Sequence, residues 1–325
     1  MRLSITRRKF LRHLAGGAAI MAAPQLSLAQ EEKIGKKTYT YKKIDTCEIK
    51  ADVYQFPGQG AQPVVVWIHG GALIMGNRGQ VDQTLLNKLL KAGFTVVSID
   101  YRLAPETKLP AILEDVEDAC KWVHDKGPEL FRIDPKKIAI MGGSAGGYLT
   151  LTTGFRVHPA PKALVSFYGY GDIAGPWYSR PDPFYSRMPA VPKEEAYQAV
   201  GRSIITESSG KNNRHRFYLY CRQQGLWPKE VAGHDPDKKP RAFDAFCPVR
   251  NVSAKYPPTL LVHGTKDTDV PYDQSKTMAE ELARKGVQHE LITVAEAGHG
   301  LAGAKPAEVA DIQDRVVAFL RRCLS

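Results

Sequence analysis

The chain predicts an α/β fold, with a mostly parallel central sheet, helices on both faces and one long cap insertion. Three observations carry this expectation. Short apolar runs that read as strands alternate with helical stretches along the chain, the pattern of a parallel sheet covered on both sides. The 325 residues, 43% hydrophobic and 24% charged, hold enough apolar material for one large core. Between the strand-like run 163–168 and the next one at 258–262 lies an unusually long stretch, about 169–256, with no clear periodicity.

The elements follow in order. Residues 37–44 and 47–54 read as an entry hairpin, and Val64-Val65-Val66-Trp67-Ile68 as a buried strand that ends in His69-Gly70-Gly71-Ala72. A second run, 94–99, leads into Asp100-Tyr101-Arg102-Leu103-Ala104-Pro105, and 111–125 reads as a helix carrying Cys120. Lys137-Ile138-Ala139-Ile140-Met141 is a strand, and Tyr148-Leu149-Thr150-Leu151 continues as a buried helix. Between them stands Gly142-Gly143-Ser144-Ala145-Gly146. A serine in that strand-to-helix turn is strained, and its flanking glycines leave room where a Cβ would collide with neighbouring backbone. After the insertion, 258–262 and 290–294 are the last strands, followed by His263-Gly264-Thr265-Lys266-Asp267-Thr268-Asp269 and by Ala297-Gly298-His299-Gly300 respectively.

These loops supply the parts of one chemistry. A serine hydroxyl near neutral pH needs a general base, and the base needs a carboxylate to fix its tautomer and stabilise the imidazolium. Ser144 is the candidate nucleophile, His299 the candidate base and Asp267 the candidate acid, with Asp269 the runner-up two residues on. The backbone amides of Gly71, Ala72 and Ala145 are the candidate oxyanion hole. His69, His263 and His289 lie in or beside strand runs and read as structural. The insertion is rich in aromatics; most read as a small core of their own, while Trp177 and Tyr178 are the candidates for substrate-pocket walls, because ligands of open α/β sheets bind beyond the carboxyl ends of strands.

With these segments in hand, the chain resembles an α/β-hydrolase of the carboxylesterase/lipase type, near the hormone-sensitive-lipase-like enzymes and the feruloyl and acetyl esterases. Ile68 to Ala72, Asp100 to Pro105, Gly142 to Gly146, His263 to Asp267 and Gly298 to Gly300 carry the resemblance. The order nucleophile, acid, base along the chain is that of this fold. It implies a hydrolase acting on small-molecule or polysaccharide-linked esters through an acyl-enzyme, and a scaffolding role for Asp100 and Arg102. Two departures stand out: Ala72 replaces a third glycine, and the loop from Asp267 to Pro271 is closer to the peptidase-like and feruloyl-esterase-like branches. The alternatives are an oligopeptidase-like serine peptidase or amidase, and a non-catalytic binding scaffold of the same fold.

Charge excludes less than it first promises. The formal +11 includes Arg2, Arg7, Arg8, Lys9 and Arg12; without these five, forty basic residues face thirty-four acidic ones, or +6, with no basic block. Nucleic acid is therefore not an expected partner. Residues 1–29 read as a twin-arginine signal peptide, with Thr6-Arg7-Arg8-Lys9-Phe10-Leu11 before an apolar stretch too short for a stable membrane anchor. The expectation is a bacterial periplasmic or secreted enzyme whose mature domain is 30–325. Of five cysteines, Cys221 and Cys247 are the pair placed to bridge the insertion. No zinc spacing, H-E-x-x-H or P-loop pattern occurs, so neither metal nor cofactor is expected.

Overall fold

The structure, a computed structural model, describes residues 34–58, 60–208 and 214–325. The leader expected at 1–29 lies outside them. Eight strands form one sheet in the order β1-β2-β4-β3-β5-β6-β7-β8. β1 (Gly35–Ile44) and β2 (Cys47–Gln55) are the antiparallel hairpin, and β2 meets β4 (Thr95–Ile99) antiparallel. From there β3 (Gln62–Ile68), β5 (Ile133–Gly143), β6 (Ala163–Phe167), β7 (Thr259–Gly264) and β8 (His289–Val294) run parallel to β4 and to one another. This is the expected α/β-hydrolase sheet.

Alternation along a single strand explains why both faces are covered. In β3, Val64, Val66 and Ile68 enter one core, and Val65 and Trp67 enter the other. The first core is roofed by α2 (Leu109–Phe131), α3 (Ala145–Arg156) and α8 (Asp273–Arg284); the second by α1 (Gln83–Lys91) and α9 (Pro306–Leu324). α1 is capped by Asp82, whose carboxylate accepts the amide of Leu85, and it buries Leu85, Leu86, Leu89 and Leu90 on one side. Each such leucine contributes about 2 kcal/mol of apolar burial. Asp100 and Arg102 act as scaffold: Asp100 pairs with Arg78, and Arg102 forms a forked ion pair with the buried Asp115 at 2.7 Å on each arm.

The stretch between β6 and β7 is more regular than its lack of periodicity promised. It holds α4 (Pro176–Ser179), α5 (Lys193–Gln198), α6 (Arg214–Gln224) and α7 (Trp227–Ala232), with 3-10 turns before β7. Helices of four to eleven residues are too short to display a full hydrophobic stripe, which is why the sequence pattern missed them. Tyr170, Tyr178, Phe217, Trp227 and Phe243 are buried within it. Cys221 and Cys247 do not bridge: both are free, buried thiols, and the Cys247 Sγ lies instead 3.2 Å from Asp172 Oδ1.

Candidate active site

Because β3, β5, β7 and β8 are parallel, the loops after all four leave the sheet at the same edge, and the candidate residues gather there. Ser144 stands between β5 and α3 with φ 56° and ψ −121°, a left-handed conformation that costs a non-glycine residue about 1–3 kcal/mol. Packing holds it there. The Ser144 amide donates to the Phe167 carbonyl at 2.9 Å, and a Cβ on Gly142 would come within 2.5 Å of the Gly146 carbonyl oxygen. A Cβ on Gly146 would overlap the Ile68 carbonyl. The turn therefore locks against the end of β3.

His299 reaches this serine from the loop after β8. Its Nε2 lies 3.1 Å from Ser144 Oγ, and its Nδ1 donates to Asp267 Oδ2 at 2.8 Å. The loops carrying Asp267 and His299 are joined directly, the Lys266 amide donating to the Ala297 carbonyl at 2.9 Å. The other oxygen of Asp267 accepts the amides of Asp269 and Val270, each at 2.9 Å. His263, read as structural, proves a second imidazole on this acid: its Nε2 is 3.2 Å from Asp267 Oδ2, and its Nδ1 is held by Ser275 Oγ at 2.7 Å. Burial alone would raise the Asp267 carboxyl, but hydrogen bonds from His263 and His299 hold it well below the usual carboxylate range. Burial alone would lower His299, yet the hydrogen bond to Asp267 and the charges of Asp269 and Asp267 carry it above its ordinary 6.5.

Opposite the imidazole is the loop after β3. Gly70 touches the Ser144 turn so closely that a Cβ there would sit 2.9 Å from the Gly143 oxygen. Among the described residues, no acceptor takes the amide hydrogens of Gly71, Ala72 or Ala145. Ala72 and Leu73 are both left-handed, at φ 57° and 61°. Two side chains of the insertion hold this loop: the fully buried Trp227 donates its indole N–H to the Ala72 carbonyl at 2.9 Å, and Arg214 donates to the carbonyls of Ile74 and Ala104 at 2.6 Å each. Arg214 is itself paired with Glu106 at 2.7 Å. His69 is buried, stacked on Tyr101 with ring centroids 4.2 Å apart, and burial lowers it to about 4, so it stays neutral as a loop-shaping residue.

Asp269, the runner-up acid, does not stand where Asp267 stands. It approaches the opposite nitrogen of the imidazole, Oδ2 lying 3.5 Å from His299 Nε2. Its Oδ1 accepts from Arg222 at 2.9 Å, from Tyr185 at 2.9 Å and from Tyr218. Arg222 is 1% exposed and is enclosed by the rings of Trp177, Tyr178, Tyr185 and Tyr218. The two pocket-wall candidates thus belong to one stack: Tyr178 is buried between Trp177, at 3.9 Å, and Trp227, at 4.1 Å, whereas Trp177 keeps partial exposure. A cavity of about 720 Å³ lined by His124, Arg156 and His158 also takes in Pro135 and Lys136 at the start of β5 and Lys162 just ahead of β6, the sheet end away from Ser144.

Known proteins agree with this architecture. Among solved structures, a protein of unknown function from Staphylococcus aureus superposes with a TM-score of 0.74 at 20% identity, covering 89% of this chain and all of that one. Carboxyl esterase 2 of Tuber melanosporum gives 0.65 at 22%, covering 92% of this chain and 90% of its own. The metagenomic carboxylesterase EstE1 gives 0.63 at 24%, with 90% of each chain covered. Likenesses at these identities establish the fold. Among curated proteins, the non-reducing polyketide synthases adrD of Penicillium rubens and trt4 of Aspergillus terreus are each 28% identical, over 82% and 83% of this chain. The chain spans only 12% and 13% of their lengths. These fungal relatives overturn the bacterial periplasmic or secreted assignment, which rested on a short basic-apolar leader pattern alone. Among the described residues, no helix is long and apolar enough to cross a membrane. The family model described as BD-FAE matches residues 51–282, and the chain, with that match and this sheet, belongs to the BD-FAE family of α/β-hydrolase-like domains.

Proposed function

We propose that the chain is a serine hydrolase that cleaves carboxylic esters through an acyl-enzyme. Ser144 is the nucleophile, His299 the general base and Asp267 the acid that orients it. The observation that carries this reading is the continuous chain from Ser144 Oγ to His299 Nε2 at 3.1 Å and from Nδ1 to Asp267 at 2.8 Å. Asp267 fixes the tautomer in which Nε2 is free to accept, so the serine proton passes to Nε2 as Oγ attacks the ester carbonyl. The amides of Gly71, Ala72 and Ala145 receive the oxyanion, each such donor lowering the barrier by about 3 kcal/mol. Nε2–H then protonates the departing alcohol, and water repeats the attack on the acyl-enzyme. The insertion at about 169–256, in its described residues 169–208 and 214–256, forms the cap over this centre, with Trp177 as a wall of the acyl or alcohol pocket. The substrates are small-molecule or polysaccharide-linked esters.

The acid loop, and a likeness to a puromycin-hydrolyzing peptidase of Mycobacterium tuberculosis at TM-score 0.63, keep amide cleavage as a second reading. Nitrophenyl esters of increasing chain length, run beside aminoacyl nitroanilides with native chain and Ser144→Ala, separate the two. Ester turnover that the substitution abolishes is the expected result. Faster anilide cleavage overturns the ester reading in favour of a peptidase, and no turnover of any acyl substrate leaves a binding scaffold.

A further inference from the structure

Asp269 is a carboxylate with one oxygen committed and one uncommitted, at the reacting end of the imidazole. Oδ1 is saturated by Arg222, Tyr185 and Tyr218. Among the described residues, Oδ2 accepts no hydrogen bond, and the one basic side chain within 4.0 Å of it is His299, whose Nε2 lies 3.5 Å away. In the resting tautomer that nitrogen carries a lone pair turned to Ser144, so Oδ2 receives no hydrogen from it. The side chain is 18% exposed, so this oxygen is open to what enters the site.

Charge makes the position selective. Arg222 is shared between two carboxylates, Asp182 at 2.5 Å and Asp269 at 2.9 Å. One guanidinium facing two carboxylates leaves a net negative charge on the cluster, beside a centre that already holds Asp267. The four rings around Arg222 keep water from the cation and hold it in place, so the cluster is a fixed charge and not a mobile surface pair.

We propose that Asp269 selects esters whose alcohol carries a positive charge, an ammonium within a few bonds of the leaving oxygen. The proposal rests on the serine-ester reading given above. Nε2–H must reach the leaving oxygen to protonate it, at about 3 Å. A carboxylate oxygen 3.5 Å from that same nitrogen therefore lies against the first atoms of the alcohol, not against the acyl chain. An ammonium there meets a fixed opposite charge in a site partly shielded from water, and a neutral group of the same shape does not.

The test compares choline esters with 3,3-dimethylbutyl esters of the same acid, which match in shape and differ in charge. The native chain is expected to favour the choline ester in kcat/KM by about tenfold, a fraction of the full attraction at this range because the site opens to solvent, with the preference shrinking as salt is raised. Asp269→Asn keeps an Oδ1 acceptor for Arg222 and both tyrosines and is expected to bring the ratio near one. Equal turnover of the two esters by the native chain, at low salt as at high, overturns the proposal while leaving the ester reading intact. A variant that slows both esters alike and keeps their ratio also overturns it, making Asp269 a positioning residue that acts through His299. Turnover of neither ester by the native chain overturns the serine-ester reading and this proposal together. Should Asp269→Asn fail to fold, the salt dependence of the native preference decides alone.

Discussion

Trp227→Phe isolates the contact by which the insertion holds the candidate oxyanion loop. The indole is fully buried and donates to the Ala72 carbonyl at 2.9 Å. Phenylalanine keeps an aromatic face for Tyr178, whose ring centroid lies 4.1 Å away, and deletes only the donor and part of the ring. A buried carbonyl left without its donor costs about 1–3 kcal/mol, and the smaller ring adds a void worth about 1 kcal/mol. Part of that cost falls on function. Ala72 and Leu73 are held left-handed at φ 57° and 61°, so releasing the carbonyl between them lets the Ala72–Leu73 peptide turn, and the relaxing dihedrals of Ala72 then shift the preceding peptide, which carries the Ala72 amide off its aim. Complete loss of one oxyanion donor lowers kcat by about a hundredfold or more; a displaced donor is expected to lower it about tenfold. KM should stay within about twofold, since the amide acts mainly on the transition state. Steady-state kinetics on p-nitrophenyl acetate, with urea unfolding of the same samples, reads both quantities. A variant that loses about 2–3 kcal/mol of stability with kcat unchanged would refute the reasoning, because Trp227 would then only pack.

The remaining predictions concern the base and the turn. In the proposed mechanism His299 must be neutral to accept the serine proton, so kcat/KM should rise with pH through its titration; because the imidazole is raised, the midpoint of that limb should lie above 6.5 in a pH–rate profile, and a midpoint below it would contradict the proposal. The sign for stability is opposite. A base raised on folding contributes stability that is fully present below its unfolded value and is lost as pH climbs through the folded one, so melting temperature should decline on the alkaline side of the same limb. Gly146→Ala drives a Cβ into the carbonyls of Ile68 and His69, neither of which can move without shifting β3. It should lose more than about 4 kcal/mol or accumulate as insoluble protein, read from soluble yield and urea midpoint.

What the chain disclosed about itself divides by distance. The parallel strands were legible because both their faces are buried, which makes them short apolar runs, and the ends shifted by only a few residues, as with β5 beginning at Ile133 ahead of the expected Lys137. Ser144 and Asp267 were legible because glycines with a steric cause stand beside them, Gly142 and Gly146 about the serine and Gly264 ahead of Asp267, each facing backbone that a Cβ would strike; of the glycines flanking His299, Gly300 is instead required by its left-handed φ of 69°. Asp269 was noticed for its nearness to Asp267, but its position on the far nitrogen of His299 was not, since nothing local says which way two carboxylates in one loop will turn. Trp227 and Ala72 meet across 155 positions, and Arg222 and Asp269 across 47. Contacts between segments so far apart leave no periodicity behind, and the short helices α4 to α7 that create them left none either. His263 had a trace that went unread: it ends a buried strand four residues before the acid, where an imidazole needs a partner for each nitrogen.

The segment between β6 and β7 therefore cannot be exchanged as a detachable specificity module. Arg222 and Tyr218 hold the Asp269 carboxylate beside the imidazole, while Trp227 and Arg214, from the same few turns, hold the loop on the other side of the serine. A chimera that imports another relative's insertion to widen substrate range inherits a second obligation, to brace a left-handed loop it did not evolve with. Laboratory evolution on this scaffold should accordingly find new substrates more readily at Trp177, which keeps an open face, than in α6 or α7, where altering what the enzyme accepts also loosens what it uses to react.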